Sequence, residues 1–101
     1  MAQFVRIAST SEVGPGQCKV ADANGKTIAL YNVDGTFYAT DNTCLHQGGP
    51  LGEGALRGTT VTCPWHGWQY DVTSGKSLFN PSMGVAVFPV NVEGDSVLVE
   101  V

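Results

Sequence analysis

Hydrophobic and polar positions alternate over short distances along this chain, and turn residues interrupt the alternation at regular intervals. No long stretch has the 3.6-residue period of an amphipathic helix. Short alternating segments between turns are typical of β-strands. The predicted strands are residues 3–9, 17–21, 27–31, 31–33, 36–40, 59–62, 69–72, 85–88, 90–93 and 96–101.

Two dipeptides predict tight hairpins. Asn24-Gly25 and Asp34-Gly35 each separate two predicted strands, and both pairs favour the positive backbone angles of a two-residue turn. The only helix expected is a short turn near Ser9 to Val13. We therefore predict an all-β fold, an antiparallel sandwich or barrel formed by one domain over residues 1–101.

The net charge and the N-terminal sequence restrict the expected partners and the expected cellular location. The formal net charge is −4, which makes nucleic acid an improbable ligand and favours partners with basic patches. The first residues lack a basic segment followed by a long apolar run, so we expect no signal peptide, no membrane anchor and a cytoplasmic location.

The candidate chemistry lies in two short segments that each contain one cysteine and one histidine. Cys44 and His46 form the first pair, Cys63 and His66 the second, and sixteen residues separate the pairs. Two cysteines and two histidines can hold a [2Fe–2S] cluster in which histidines replace cysteines on one iron. They can also hold structural zinc, although zinc sites usually pair like with like. Unrelated core or surface residues are the third alternative.

Local sequence suits ligand loops. In extended backbone, residues i and i+2 point the same way, which fits Cys44 and His46. Pro64 and Gly67 supply the turn that the spacing of the second pair needs. Glycines within residues 47–52 allow backbone to approach a metal closely and let amides donate hydrogen bonds to sulfur.

The strings CLHQGGPLGEG and CPWHGWQYDVTSGK resemble the two cluster-binding loops of Rieske proteins. In length the chain is similar to the Rieske-type ferredoxins that serve aromatic-ring dioxygenases. The resemblance implies a Rieske [2Fe–2S] cluster, with Cys44 and Cys63 on the inner iron and His46 and His66 on the outer iron. It also implies a small cluster-binding subdomain, about residues 42–72, inserted into a larger β base.

Departures from the pattern of high-potential Rieske domains predict a low potential. Those domains resemble this one but have an extra cysteine in each loop, at the positions of Gly49 and Trp65, so their disulfide cannot form here. Trp68 stands where they have a serine donor, whereas Tyr70 matches their tyrosine. Tyr70 is either a donor to sulfur or an ordinary strand aromatic. We expect a potential in the lower part of the Rieske range of roughly −150 to +300 mV.

Four further features have two interpretations each. Cys18 is a small buried hydrophobe or a reactive thiol. Residues 80–84 resemble the proline-containing loop that covers the cluster, or form a plain turn. Trp65 and Trp68 each either shield the cluster or dock a partner, or pack the subdomain; we expect the first role for Trp65 and packing for Trp68.

The resemblance implies a soluble, monomeric electron carrier between a flavoprotein ferredoxin reductase and a terminal Rieske oxygenase. The chain is not expected to be an enzyme itself, because its two histidines are committed to the cluster and none remains for a catalytic iron. The alternative function is the Rieske-like small subunit of a nitrite reductase or another multi-subunit reductase. The substrate of the downstream oxygenase is not encoded in this chain.

Overall fold

The computed structural model describes residues 3–44, 49–65 and 67–101. Its strands are β1 (Phe4–Ser9), β2 (Cys18–Ala23), β3 (Lys26–Val33), β4 (Thr36–Asp41), β5 (Ala55–Arg57), β6 (Thr60–Thr62), β7 (Gln69–Asp71), β8 (Val87–Phe88), β9 (Val90–Glu93) and β10 (Ser96–Glu100). Two short 3₁₀ turns, Thr10–Glu12 and Leu51–Glu53, are the helical segments of the described ranges. The all-β prediction is confirmed.

The strands form three antiparallel sheets. One has the order β1-β10-β9, the second β2-β3-β4-β8 and the third β5-β6-β7. The first two sheets enclose an apolar core that includes Ile28, Leu30, Val97 and Val99, each fully buried. These two sheets are the sandwich that alternating strand patterns predict.

Strand β3 is buried on both faces. Ile28 and Leu30 point into the core of the sandwich, whereas Ala29 and Tyr31 point into a second core beneath the small β5-β6-β7 sheet. Successive side chains of a strand point to opposite faces, so a nearly continuous apolar run serves two cores at once. The four-stranded sheet is therefore the middle layer that supports the small sheet.

Both predicted hairpin turns are present. Asn24 and Gly25 have φ values of 50° and 80°, and Asp34 and Gly35 have 52° and 94°. Positive φ at both central residues is the signature of the type I′ turn that joins tightly twisted strands.

Several strand bounds differ from the sequence prediction, most clearly β8, which was predicted over 85–88, and three elements differ in kind. The predicted segments 27–31 and 31–33 are one strand, β3, which pairs with β2 on one side and β4 on the other. Strand β5 and the 3₁₀ turn Leu51–Glu53 were not predicted. Both are three residues long, which is too short for a period to be recognised. Within the described residues, no helix is long and apolar enough to cross a bilayer.

Candidate metal centre

Two cysteines from different loops lie together in the second core. Cys44 follows β4, Cys63 follows β6, and each is only 1% exposed. Both thiols are free, and the Cys44 thiol lies close enough to raise the pKa of the Cys63 thiol. Two reduced, buried sulfurs on separate loops fit the two-cysteine half of a [2Fe–2S] ligand set.

Each loop is closed at its base by the amide of its own cysteine. The Cys44 N–H donates to the Gly49 carbonyl at 2.9 Å, and the Cys63 N–H donates to the Trp68 carbonyl at 2.7 Å. The spacing from donor to acceptor is five residues in both loops. In sequence, His46 lies between Cys44 and Gly49, and His66 lies between Cys63 and Trp68. Both predicted histidine ligands are outside the described residues.

Gly49 brings the first loop against the second. A Cβ at this position would lie 2.7 Å from Cys63 Sγ and 3.1 Å from Trp65 Cβ. Only glycine allows such an approach without displacing the sulfur. The two positions that resemble the disulfide cysteines of high-potential domains are thus neighbours in space, occupied here by a glycine and a tryptophan.

Tyr70 contacts a cysteine sulfur. It is fully buried on β7, and its hydroxyl oxygen lies 3.3 Å from Cys44 Sγ. A metal-bound thiolate has no proton, so in that state the phenol is the donor. Of the two interpretations of Tyr70, the structure therefore supports a hydrogen bond to sulfur.

Burial raises the pKa of the Cys63 thiol; the backbone at Trp65 opposes this, and the nearby Cys44 thiol raises it further. Without metal, Cys63 is therefore protonated at neutral pH. Metal binding must release this proton, because the ligand is the thiolate. In the described part of the chain no third His, Cys, Asp or Glu joins the two cysteines.

Asn42 holds the first loop against the sandwich, and sequence reasoning had missed this role. Its side-chain oxygen accepts from the Gly52 N–H at 2.7 Å, and its carbonyl accepts from the Leu51 N–H at 2.8 Å. A Cβ on Gly52 would lie 2.9 Å from backbone atoms of Lys19 on β2. Apart from the glycine itself, no local sequence signal marks this contact.

Cys18 lies outside the cysteine pair. Its thiol is partly buried and donates to the Gly54 carbonyl at 3.2 Å, which links β2 to the start of the small sheet. This contact supports its interpretation as a packing residue.

Cys18 is expected to react slowly with alkylating reagents. Burial raises the pKa of its thiol, so less of the reactive thiolate is present at a given pH than in an unfolded chain. Iodoacetamide labelling of the native protein at pH 8, followed by mass spectrometry, should be at least about tenfold slower than labelling in urea and should accelerate as pH rises. Equal rates in both states would contradict the assignment.

The two tryptophans differ in burial, and the predicted packing role of Trp68 is confirmed. Trp65 is 48% exposed, whereas Trp68 is partly buried and packs against the core that contains both cysteines. The Trp68 ring also contacts the Phe79 ring, with centroids 5.9 Å apart. The loop after β7 is thereby placed beside the second ligand loop.

Comparisons with known proteins agree with this geometry. The model of the Rieske [2Fe-2S] domain matches residues 3–89. A curated relative, the ferredoxin component of a naphthalene 1,2-dioxygenase system from Pseudomonas aeruginosa, is 35% identical over 99 residues. The match covers 97% of this chain and 95% of the relative.

Solved structures extend the likeness. The ferredoxin of carbazole 1,9a-dioxygenase from Nocardioides aromaticivorans IC177 superposes with a TM-score of 0.89 at 26% identity, covering 96% of each chain. A chain from a complex of reduced oxygenase and oxidised ferredoxin in carbazole 1,9a-dioxygenase gives 0.86 at 33% identity, covering 95% of this chain and 91% of that one. A putative nitrite reductase small subunit from Mycobacterium tuberculosis superposes with a TM-score of 0.89 at 21% identity. The match covers 100% of this chain and 96% of that one, and it shows a shared fold alone.

Proposed function

Because the chain belongs to the Rieske [2Fe-2S] domain family, we propose that it is a ferredoxin that passes single electrons from a flavoprotein reductase to a terminal Rieske oxygenase. The observation that carries the proposal is the buried pair of free thiols, Cys44 and Cys63, with the Tyr70 hydroxyl 3.3 Å from one sulfur. The names of the relatives add the partner class, since they are ferredoxin components of dioxygenase systems.

Four side chains are proposed to hold the cluster. Cys44 and Cys63 would bind one iron, and His46 and His66 the other, within a subdomain of about residues 42–72. The separate β5-β6-β7 sheet and the matched closure of the two loops support this assignment. When bound, the cluster supplies one reversible electron at a potential tuned by its surroundings.

Tyr70 is proposed to tune that potential. Its phenol donates to the Cys44 sulfur, and a donor stabilises the more negative, reduced state more than the oxidised state. The burial of Tyr70 on β7 keeps water from replacing this bond. Because Trp68 replaces the serine hydroxyl of high-potential domains, we expect a potential in the lower part of the Rieske range.

Replacing Tyr70 with phenylalanine should lower the midpoint potential. Loss of about 1 kcal/mol of differential hydrogen bonding corresponds to about 40 mV for a one-electron couple. Protein-film voltammetry at pH 7 measures the shift. Tyr31→Phe is the matched control, because it removes a buried phenol of the same core that bonds instead to Thr40 Oγ1 at 2.8 Å. A Tyr70→Phe potential equal to wild type would contradict the tuning role.

The chain itself is an electron carrier and not a catalyst. The ferredoxin components to which it is similar are electron carriers too. A carrier of this kind is proposed to act as a monomer in the cytoplasm. The alternative, a nitrite reductase subunit, is supported by fold likeness alone, whereas dioxygenase ferredoxins also share a third of the sequence. The ferredoxin function is therefore preferred.

Reconstituted electron transfer tests the function. NADH, the reductase and the terminal oxygenase of a naphthalene 1,2-dioxygenase system are mixed with this protein in place of the native ferredoxin. We expect substrate-dependent oxygen consumption that rises with the concentration of this protein. The same mixture with a Cys44→Ser variant provides the blank. Consumption no higher than the blank, together with stable co-purification with a flavin-haem reductase, would favour the subunit instead.

A further inference from the structure

Four large apolar side chains are exposed near the second ligand loop. Phe79 is 81% exposed, Leu78 51%, Trp65 48% and Met83 37%. We call these four residues the apolar cap. Leu78, Phe79 and Met83 share the loop after β7, and Phe79 contacts Trp68, three residues after Trp65. Exposed apolar side chains grouped in this way mark contact surfaces more often than isolated ones do.

The cap is continuous with the ligand loops. Trp65 belongs to the second loop and lies against Gly49 of the first. The Leu78 N–H donates to the Gln69 carbonyl at 3.0 Å, and the ring of Phe79 contacts that of Trp68. Leu78 and Phe79 also line a cavity of about 360 Å³ with residues 67–69. A partner that covers the cap therefore also contacts the described part of the ligand loops, Gly49, Trp65 and residues 67–69.

The loop that presents Phe79 is held by its own hydrogen bonds. The buried Ser77 hydroxyl accepts from the Phe79 and Asn80 N–H groups at 3.1 and 3.3 Å. Asn80 in turn accepts through its side chain from the Ser82 N–H and through its carbonyl from the Met83 N–H. A loop braced in this way loses little conformational freedom on binding, which favours affinity.

The three chain segments that contain the cap and the ligand loops include no formally charged residue. Residues 42–52, 63–70 and 77–84 include no Asp, Glu, Lys or Arg, although nine acidic and five basic residues occur elsewhere. Charged residues border these segments at Asp41, Glu53, Asp71 and Lys76, so charge lies at the rim of the cap. A partner surface that matches this one is apolar and uncharged, because a charge buried against it would remain unpaired.

We propose that the apolar cap is the surface that docks on the terminal oxygenase, with Phe79 as its principal anchor in an apolar, uncharged recess of that partner. This inference rests on the proposed function and adds the contact chemistry. The acidic residues outside the cap can speed the encounter with a basic partner. Once formed, the complex is held by apolar contacts, so its dissociation rate does not depend on the salt concentration.

The test compares Phe79→Ser with wild type. Chemically reduced protein is mixed in a stopped-flow instrument with the terminal oxygenases of the naphthalene 1,2-dioxygenase and carbazole 1,9a-dioxygenase systems. For Phe79→Ser, the oxygenase concentration that gives half-maximal oxidation should rise about tenfold or more. Phe79→Leu should recover most of the loss. The dissociation rate of the wild-type complex should change less than about threefold between low and high salt.

Phe4→Ser is the matched control, since Phe4 is 45% exposed on β1, in a different sheet. It should bind like wild type, and both variants should keep the wild-type potential and EPR spectrum. Equal half-saturation for Phe79→Ser and wild type would overturn the docking surface and leave the carrier function intact. A wild-type protein that neither oxygenase oxidises would contradict the proposed function, and the docking surface with it.

Discussion

Replacing either Cys44 or Cys63 with serine should abolish bound iron and the visible absorption of the protein. Each side chain is 1% exposed, so bulk water has little access to a vacated ligand position. A serine hydroxyl is far harder to deprotonate than a thiol, and soft thiolate is the ligand that iron–sulfur clusters select. Iron and acid-labile sulfide per chain, measured after anaerobic reconstitution, should fall to background.

Cys18→Ser is the control for this experiment. It makes the same atomic change at a thiol that donates to a carbonyl instead of facing the cysteine pair. It should retain full iron content and the wild-type spectrum. A Cys44→Ser or Cys63→Ser protein with the wild-type spectrum would remove these residues from the ligand set.

Gly75→Ala should destabilise the protein strongly. Gly75 has a φ of +79°, and an added Cβ would lie 2.2 Å from the Val85 carbonyl oxygen. The Val85 N–H donates to the Gly75 carbonyl at 2.8 Å, so the two segments cannot separate without breaking this bond. The left-handed backbone costs about 1 kcal/mol and the clash about 1–3 kcal/mol more.

The expected loss of about 3 kcal/mol lowers the apparent melting temperature by roughly 10–20 °C, measured by circular dichroism at one scan rate. Gly16→Ala is the matched control. Gly16 has the same φ of +79° but nothing within 4 Å of the added Cβ. Gly16→Ala should therefore lose only about 1 kcal/mol, which is the cost of the left-handed backbone. Equal melting temperatures for the two variants would show that the contact with Val85 contributes nothing.

Much of the fold follows from local sequence. The turns at Asn24-Gly25 and Asp34-Gly35 were predictable because few dipeptides accept positive φ at two successive residues. Strand β9 has the predicted bounds, and β10 begins at the predicted residue, because a pair of turn residues separates the two strands. Strand β10 ends one residue before its predicted end. The sheet order was not predictable, since β1 pairs with β10 across nearly the whole chain.

The proposed ligand set comes from the spacing of the Cys and His residues and from the resemblance of the two loops, but the contacts around it could not be predicted in this way. The phenol of Tyr70 lies 26 residues from Cys44 in sequence, and their contact joins β7 to the loop after β4. The bond from Gly52 to Asn42 joins a loop to the end of a strand and has no periodic signature. Such contacts arise from tertiary packing, which single-sequence patterns do not encode.

The central claim is that mixed sulfur and nitrogen ligands hold a [2Fe–2S] cluster in this chain. Pulsed EPR of the dithionite-reduced protein tests it most directly. We predict one unpaired electron per two irons, coupled to the nitrogen nuclei of His46 and His66, with both nitrogen couplings retained in Cys18→Ser. A reduced protein that is diamagnetic and contains stoichiometric zinc, or a paramagnetic one without nitrogen coupling, would contradict the claim.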